Sequence, residues 1–494
     1  LYLTMIDIRK ILILGAWLLA ASDMSAQTFE EYKRQMQADF GSYKAERQRE
    51  FKEYRDRVNA EYAEYMRRAW PEYDAKPAEP VPDRPEPPKP VVKDPDVGPS
   101  DDPIPFDRVV PSPEPEPQPE PAVPIPEPEK PVRPSFAFDF YGTQCTVSLD
   151  ERLRFTMPGT NEKAAAEAWT RLSEDDYLTV VAECLAWRRK LRLCDWGYFR
   201  FLERMTSAFF TAGRTDEARM MQTYILVQSG YKVRIARTDD GRLVPLLRSK
   251  ETLFGYPYLV VDGEKYYVAD PTMRQKRFQV FDRRFPNEQI FSLAIAEEPQ
   301  LAVTASAARK LTAKRYPEVS ANVATNRNLI DFYDDYPLSD AWNIYASASL
   351  GSFAKKQLYP VLQRAIDGKD SAAAANMLIN FVQTAFEYRT DEEQFGGERP
   401  LFADETLYYP YSDCEDRAIL YSVLVRELLG LDVVLLHYPG HLATAVCFGN
   451  DTPGDHIMLD GRRYTVCDPT YIGASIGDAM PQFKRTKAEV VRIR

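Results

Sequence analysis

Apolar and polar residues alternate along this chain with several different periods. Over residues 28–75 the period is eleven. Phe29, Phe40, Phe51 and Tyr62 form one register, and Tyr32, Tyr43, Tyr54 and Tyr65 a second. Met36, Arg47, Val58 and Ala69 mark a third position of the same repeat. Eleven residues make three turns at about 3.67 residues each, so such a stripe hardly drifts around a helix. The spacing predicts one long amphipathic helix or coiled coil over 27–75, roughly 70 Å long at 1.5 Å per residue. Its stripe suits self-association through residues 28–75, or packing on the rest of the chain. Acidic and basic residues between the stripes are nearly balanced, as on a solvated face with intrahelical pairs.

Before this helix, Ile11 to Ala21 is an unbroken apolar run behind Arg9 and Lys10, with small Ser25 and Ala26 after it. The run is shorter than the roughly 20 residues of a membrane span and reads as a signal peptide over 1–26. The expectation is an exported protein, periplasmic or extracellular, with no transmembrane segment in the mature chain. After the helix, residues 77–134 hold 22 of the chain's 38 prolines. That composition predicts an extended, semi-rigid linker over 76–134.

The remaining residues, 135–494, carry mixed helix and strand periods that occur twice. Each half ends in a strand–turn–strand closing on Asp-Pro-Thr. One runs from Tyr258 to Asp270-Pro271-Thr272, the other from His456 to Asp468-Pro469-Thr470. Asp262-Gly263 and Asp460-Gly461 between the apolar runs are hairpin signals. Upstream, each half has a helical stretch stopped by glycine, 214–229 before Gly230 and 414–429 before Gly430, then a β-rich run. The pattern predicts an α+β chain with two similar domains, 135–310 and 311–494. At matched positions Arg214 stands where Cys414 does, and the first half has no histidine, so the first copy is expected to be catalytically silent.

Charge and rare residues narrow the chemistry. The net charge is −11, which argues against nucleic acid as a partner. His437, His441 and His456 are the three histidines, so any neutral-pH proton shuttle uses one of them. The six cysteines show no CxxC spacing and no dense disulfide framework. Nothing in the sequence resembles an EF-hand loop, so no metal or other cofactor is expected.

Cys414 starts a helix whose Ala418, Tyr421, Val425 and Leu428 make an apolar face, with Ser412 or Asp413 available to cap it. A thiolate at a helix N-terminus is stabilised by unpaired N–H groups and the dipole. His441 begins a strand after Gly440, and Asp468 ends the hairpin that follows. If those strands pair antiparallel, imidazole and carboxylate meet at one sheet edge, as an orienting acid requires. His437 is the competing base, and His456 reads as a surface residue. Asp468 has a second possible use, as a turn cap, because Asp270 persists in a half without cysteine or histidine. Asp413, Glu415 and Asp416 beside the thiol oppose its ionisation. A thiolate therefore needs them turned to solvent or paired, for example with Arg417. A Cys447–Cys467 bridge is not expected, since these residues face opposite sides of their strands.

Ser412-Asp413-Cys414-Glu415-Asp416-Arg417, Pro439-Gly440-His441-Leu442-Ala443 and Cys467-Asp468-Pro469-Thr470 resemble the motifs of the transglutaminase-like superfamily of papain-type cysteine enzymes. The lead-in Phe381 to Tyr388 and Asp404 to Leu407 is also similar. The resemblance covers about 370–480 strongly and 195–275 in outline. It implies Cys414 as nucleophile, His441 as general base and Asp468 as its orienter. Gln383 is the oxyanion candidate, with Tyr388 as rival. The implied activity is thiol-dependent hydrolysis of amide or peptide bonds, or acyl transfer to an amine, on a peptide or protein substrate. The alternative is a non-catalytic binding or scaffold protein of the cell envelope on the same fold.

Overall fold

The computed structural model describes residues 29–82, 89–98, 100–112, 121, 135–449 and 452–493. The expected signal peptide lies outside the described residues. The chain divides into two units, residues 1–58 and 59–494. The described part of the first is helical, within helix α1 (Phe29–Met66). Met36, Phe40 and Tyr43 of the eleven-residue stripe are exposed there. Arg47 pairs with Glu50, and Lys52 with Asp56, each at 2.9 Å.

The second unit opens with the last turns of α1, where the stripe is buried. The Tyr62 ring packs on Trp169 at 4.6 Å and edge-on to Phe281 at 4.8 Å. The Asn59 side-chain oxygen accepts from Trp169 Nε1 (3.1 Å) and Gln228 Nε2 (2.9 Å). The helix stops at Met66 rather than running on to 75. Trp70 Nε1 donates to the Met66 carbonyl at 3.0 Å, and Pro71 follows. Proline cannot continue a helix, and the next residues gain ladder hydrogen bonds at a sheet edge instead.

This unit is α+β and holds two six-stranded sheets. The first runs β1 (Glu72–Asp74), β7 (Arg277–Phe281), β3 (Val233–Thr238), β4 (Leu243–Leu247), β6 (Glu264–Val268), β5 (Tyr258–Val261), each neighbour antiparallel. The second runs β2 (Phe106–Val110), β12 (Ala488–Arg492), β8 (Val433–Tyr438), β9 (His441–Val446), β11 (Arg462–Cys467), β10 (His456–Leu459). Only the β2–β12 pairing is parallel. In both sheets the residues of the Asp-Gly hairpin turn have positive φ: Asp262 and Gly263 at 51° and 79°, Asp460 and Gly461 at 53° and 73°. That is the primed turn whose twist matches the strands.

Helices α2 (Asp195–Phe210) and α3 (Thr215–Gln228) accompany the first sheet; α4 (Ser371–Ala385) and α5 (Cys414–Leu429) accompany the second. Leu420, Tyr421 and Leu424 of α5 share a buried core with Leu378, Phe381 and Val382 of α4 and with Val446 of β9. Gly430 ends α5 in the left-handed conformation, at φ 64°. Among the described residues no helix is long and apolar enough to cross a membrane.

The proline-rich stretch differs from the expected spacer wherever it is described. Residues 72–79 join the first sheet: β1 pairs with β7, Lys76 with Tyr258, and Glu79 with Lys265 at 2.7 Å. Residues within 91–98 and 100–112 join the second. Val92 bridges Ile472, Pro103 bridges His456, β2 covers the edge of β12, and Ile104 is buried. Proline is tolerated on sheet edges, and short charged segments between prolines supply the ladder bonds. The stretch is therefore a strap that bonds to both ends of each sheet, β7 and β5 in the first and β12 and β10 in the second.

Candidate functional site

Cys414 is the first residue of α5, and Asp413 its N-cap. The Asp413 amide donates to Asp416 Oδ2 at 3.3 Å, and the Leu401 amide to Asp416 Oδ1 at 3.0 Å. Helix α5 packs across β9, whose first residue is His441. Antiparallel pairing of β9 with β11 sets Thr444 opposite Cys467 and brings Asp468, one residue beyond β11, back toward His441. His441 Nε2 lies 2.8 Å from Asp468 Oδ2, with side chains 5% and 2% exposed. That leaves Nδ1 as the ring nitrogen available for chemistry.

Asp468 divides its two oxygens. Oδ2 holds the imidazole, while Oδ1 accepts from the amides of Thr470 (2.9 Å) and Tyr471 (3.3 Å). The turn-capping use and the histidine-orienting use therefore coexist on one side chain. Asp270 in the first half divides in the same way. Its Oδ1 accepts from the Thr272 amide at 3.0 Å and its Oδ2 from Arg219 at 3.1 Å.

Gln383 does not offer a free donor. Its Nε2 faces three carbonyls, those of Asp468 (3.4 Å), Tyr471 (2.8 Å) and Ala474 (3.1 Å). An amide nitrogen has two protons, so both are committed to holding the 468–474 loop. The oxyanion expectation for Gln383 is corrected on this geometry: it is a loop-fixing residue. Tyr388, the rival, lies with its ring 5.3 Å from the Arg417 guanidinium.

His437 points to the other sheet neighbour, with Nδ1 3.3 Å from Glu489 Oε2 on β12. His456, expected at the surface, is buried at 8% exposure. Its backbone pairs with the strap, and its Nδ1 lies 3.0 Å from the Gly454 carbonyl. The strap covers the edge strand that carries His456. None of the six cysteines is in a disulfide. Cys194 caps α2, accepting from the Gly197 amide at 3.4 Å.

The carboxylates around the thiol are not turned to solvent. Asp413, Glu415 and Asp416 are all buried, and the Cys414 thiol donates to Glu415 Oε2 at 3.2 Å. Arg417 sends its guanidinium to Ser412 Oγ (3.1 Å) and to the carbonyls of Gln383 and Phe386 (3.3 and 3.2 Å). These bonds stitch α5 to the end of α4, so the pairing expected of Arg417 is replaced by a backbone role. Burial pulls the Arg417 guanidinium down to about 10. Asp391 joins the cluster from a turn of its own, accepting from the Arg399 amide at 2.6 Å. Burial, then repulsion from neighbouring carboxylates, pushes Asp391 and Asp416 well above the ordinary carboxylate range. One oxygen from each of Asp391, Asp413 and Asp416 lies within 4.8 Å of the others, and the same holds for Asp391, Glu398 and Glu415. These are the residues here with a donor set suited to a hard cation.

Two features of the site have no clear signal in the sequence. The Phe483 ring stacks flat on the His441 imidazole, 4.8 Å between centroids at 9°, and also on Tyr438. Asp391 and Glu398 approach Cys414 from about twenty residues upstream, a distance no short motif spans. The Tyr438–His441 spacing across a hairpin turn is the one local hint of an aromatic shelf. No family model, no curated protein and no solved structure matches this chain.

Proposed function

We propose that the chain is an exported thiol-dependent hydrolase or acyltransferase acting on amide or peptide bonds through Cys414, His441 and Asp468. The observation that carries this reading is the buried 2.8 Å contact between His441 Nε2 and Asp468 Oδ2, beneath a helix that begins at a cysteine. Asp468 fixes the tautomer and plane of the ring, leaving Nδ1 to take the thiol proton. The thiolate attacks the amide carbonyl carbon. The C–N bond breaks as the imidazolium gives its proton to the leaving amine, and a thioester remains on Cys414. Water, or a second amine, then attacks the thioester and releases Cys414. The Cys414 backbone N–H at the helix start is the oxyanion donor on this reading.

The two halves are read as diverged copies of one papain-type domain. The identical strand order of the two sheets supports this, each with a strap strand on the same edge. So does the parallel division of labour at Asp270 and Asp468. The first copy carries Arg219 where the second carries His441 on the aspartate.

The test is amine release from a panel of peptide and amide substrates by the chain and by Cys414→Ala, with circular dichroism as the fold control. Loss of release with the fold intact is expected. Equal release by both contradicts the assignment. A second reading, a non-catalytic binding protein, is favoured by one observation, the thiol donating to Glu415 among buried carboxylates. It predicts that the Cys414→Ala variant keeps full function in vivo.

A further inference from the structure

A cavity of about 500 Å³ lies between the first half and the 334–338 turn of the second, and Cys414 does not line it. It is walled by α2 and α3, by Pro245 of β4, by Asp270 after β6, and by the 334–338 turn. Its size falls in the roughly 300–1,000 Å³ range of small-molecule sites. On the reading of the halves as copies, Asp270 in its wall is the counterpart of Asp468. Arg214, which matches Cys414, caps α3 beside Thr215 of the cavity wall, and Leu243 starts β4 as His441 starts β9. Thiol and imidazole are gone there, yet the hollow has not been filled in. A core with no use for a hollow is expected to pack it shut.

The chemistry of the walls selects a ligand. Each carboxylate at the cavity is already matched to an arginine. Arg219 holds Asp270 at 3.1 Å, and Arg200 holds Asp335 at 3.0 Å and also Glu203. Asp334 pairs with Arg399 at 2.5 Å. These pairs leave no bare charge to attract a strongly ionic ligand. They do present planar donors and acceptors side by side, each with further hydrogen-bonding capacity. Aromatic side chains stand beside them: half-buried Tyr256, and buried Trp196, Phe254 and Tyr336 behind it. A peptide binding as an added strand needs a free sheet edge. The edges of this sheet are β1 and β5, and neither lines the cavity.

We propose that this cavity is a binding site for a neutral saccharide. A sugar ring offers C–H faces to aromatic side chains, and hydroxyls that both donate and accept to the arginine–carboxylate pairs. The first half, completed by the 334–338 turn, then acts as a glycan-holding module on the same chain as the Cys414 site.

The experiment is titration of the full chain with cellotetraose, chitotetraose, maltotetraose and xylotetraose, read by calorimetry and by tryptophan fluorescence. At least one is expected to bind. Ser207→Trp, which adds bulk at the exposed rim without breaking an ion pair, and Tyr256→Ala should each weaken that binding at least tenfold. Cys414→Ala should bind as the parent does, which separates this site from the proposed chemistry. No binding by any of the four sugars up to about 10 mM overturns the proposal. So does binding that both rim variants leave unchanged. Preferential binding of a tetra-alanine peptide, blocked by Ser207→Trp, would reassign the cavity to peptides.

Discussion

Asp468 and Glu415 set opposite conditions for Cys414. Asp468→Asn keeps an oxygen for the Thr470 and Tyr471 amides but loses the anion that orients His441. On the proposed chemistry it should cut turnover by about 10²–10⁴-fold, the usual range for a general base, while the urea midpoint barely moves. A parallel fall in both would make Asp468 a structural cap only. Glu415→Gln retains an acceptor beside the thiol and removes a negative charge. An adjacent anion disfavours the thiolate, so the pH at which Cys414 alkylates should fall. An unchanged profile would show that Glu415 has no electrostatic hold on the thiol. At this scale the placement of the three residues and the His441–Asp468 contact are legible from sequence. Cys414, His441 and Asp468 stand on a helix start, a strand start and a turn, each announced by local pattern. Gln383 was misread because its partners, the carbonyls of 468–474, become neighbours only when α4 and the loop pack together.

Single elements carry two environments. Helix α1 repeats one pattern throughout, yet Tyr43 is exposed while Tyr62 sits among Trp169, Phe281 and Phe285. Tyr62→Ala should destabilise the 59–494 unit by about 3–5 kcal/mol, the range for large aromatic deletions. Tyr43→Ala should change it by less than about 0.5 kcal/mol. Denaturant unfolding of both variants checks this, and equal effects would contradict it. Periodicity cannot tell these positions apart, because it reports a face and not what covers the face. The proline-rich strap shows the same limit. Its composition reads as a spacer, while its sheet bonds come from backbone groups that composition does not encode. Phe483 is a third case. Its stacking on His441 predicts that Phe483→Ala speeds modification of His441 by diethylpyrocarbonate, mapped by peptide mass, several-fold. No acceleration would mean that the ring does not shield the imidazole.

For the whole molecule, the α+β class and the hairpins ending in Asp-Pro-Thr are legible along the chain, while the acidic cluster is not. That cluster makes stability depend on pH. Asp391 and Asp416 hold their protons in the folded state to higher pH than in the unfolded chain. Between the ordinary carboxylate value of 3.8 and their raised values, the folded state binds more protons, so stability falls as pH rises. The urea midpoint should therefore drop from pH 5 to pH 8, and Asp391→Asn should flatten that slope. A midpoint that climbs over this range would contradict the account.

The central claim is the Cys414–His441 partnership, and the rate of haloacetamide alkylation against pH tests it most directly. Peptide mapping assigns each of the six cysteines in the full chain and in His441→Ala. The account predicts that Cys414 outpaces the other five near pH 6, and that His441→Ala abolishes this advantage. If Cys414 instead reacts only above about pH 8.5, as a free thiol does, with or without His441, then the buried carboxylates govern the thiol and the catalytic reading is wrong.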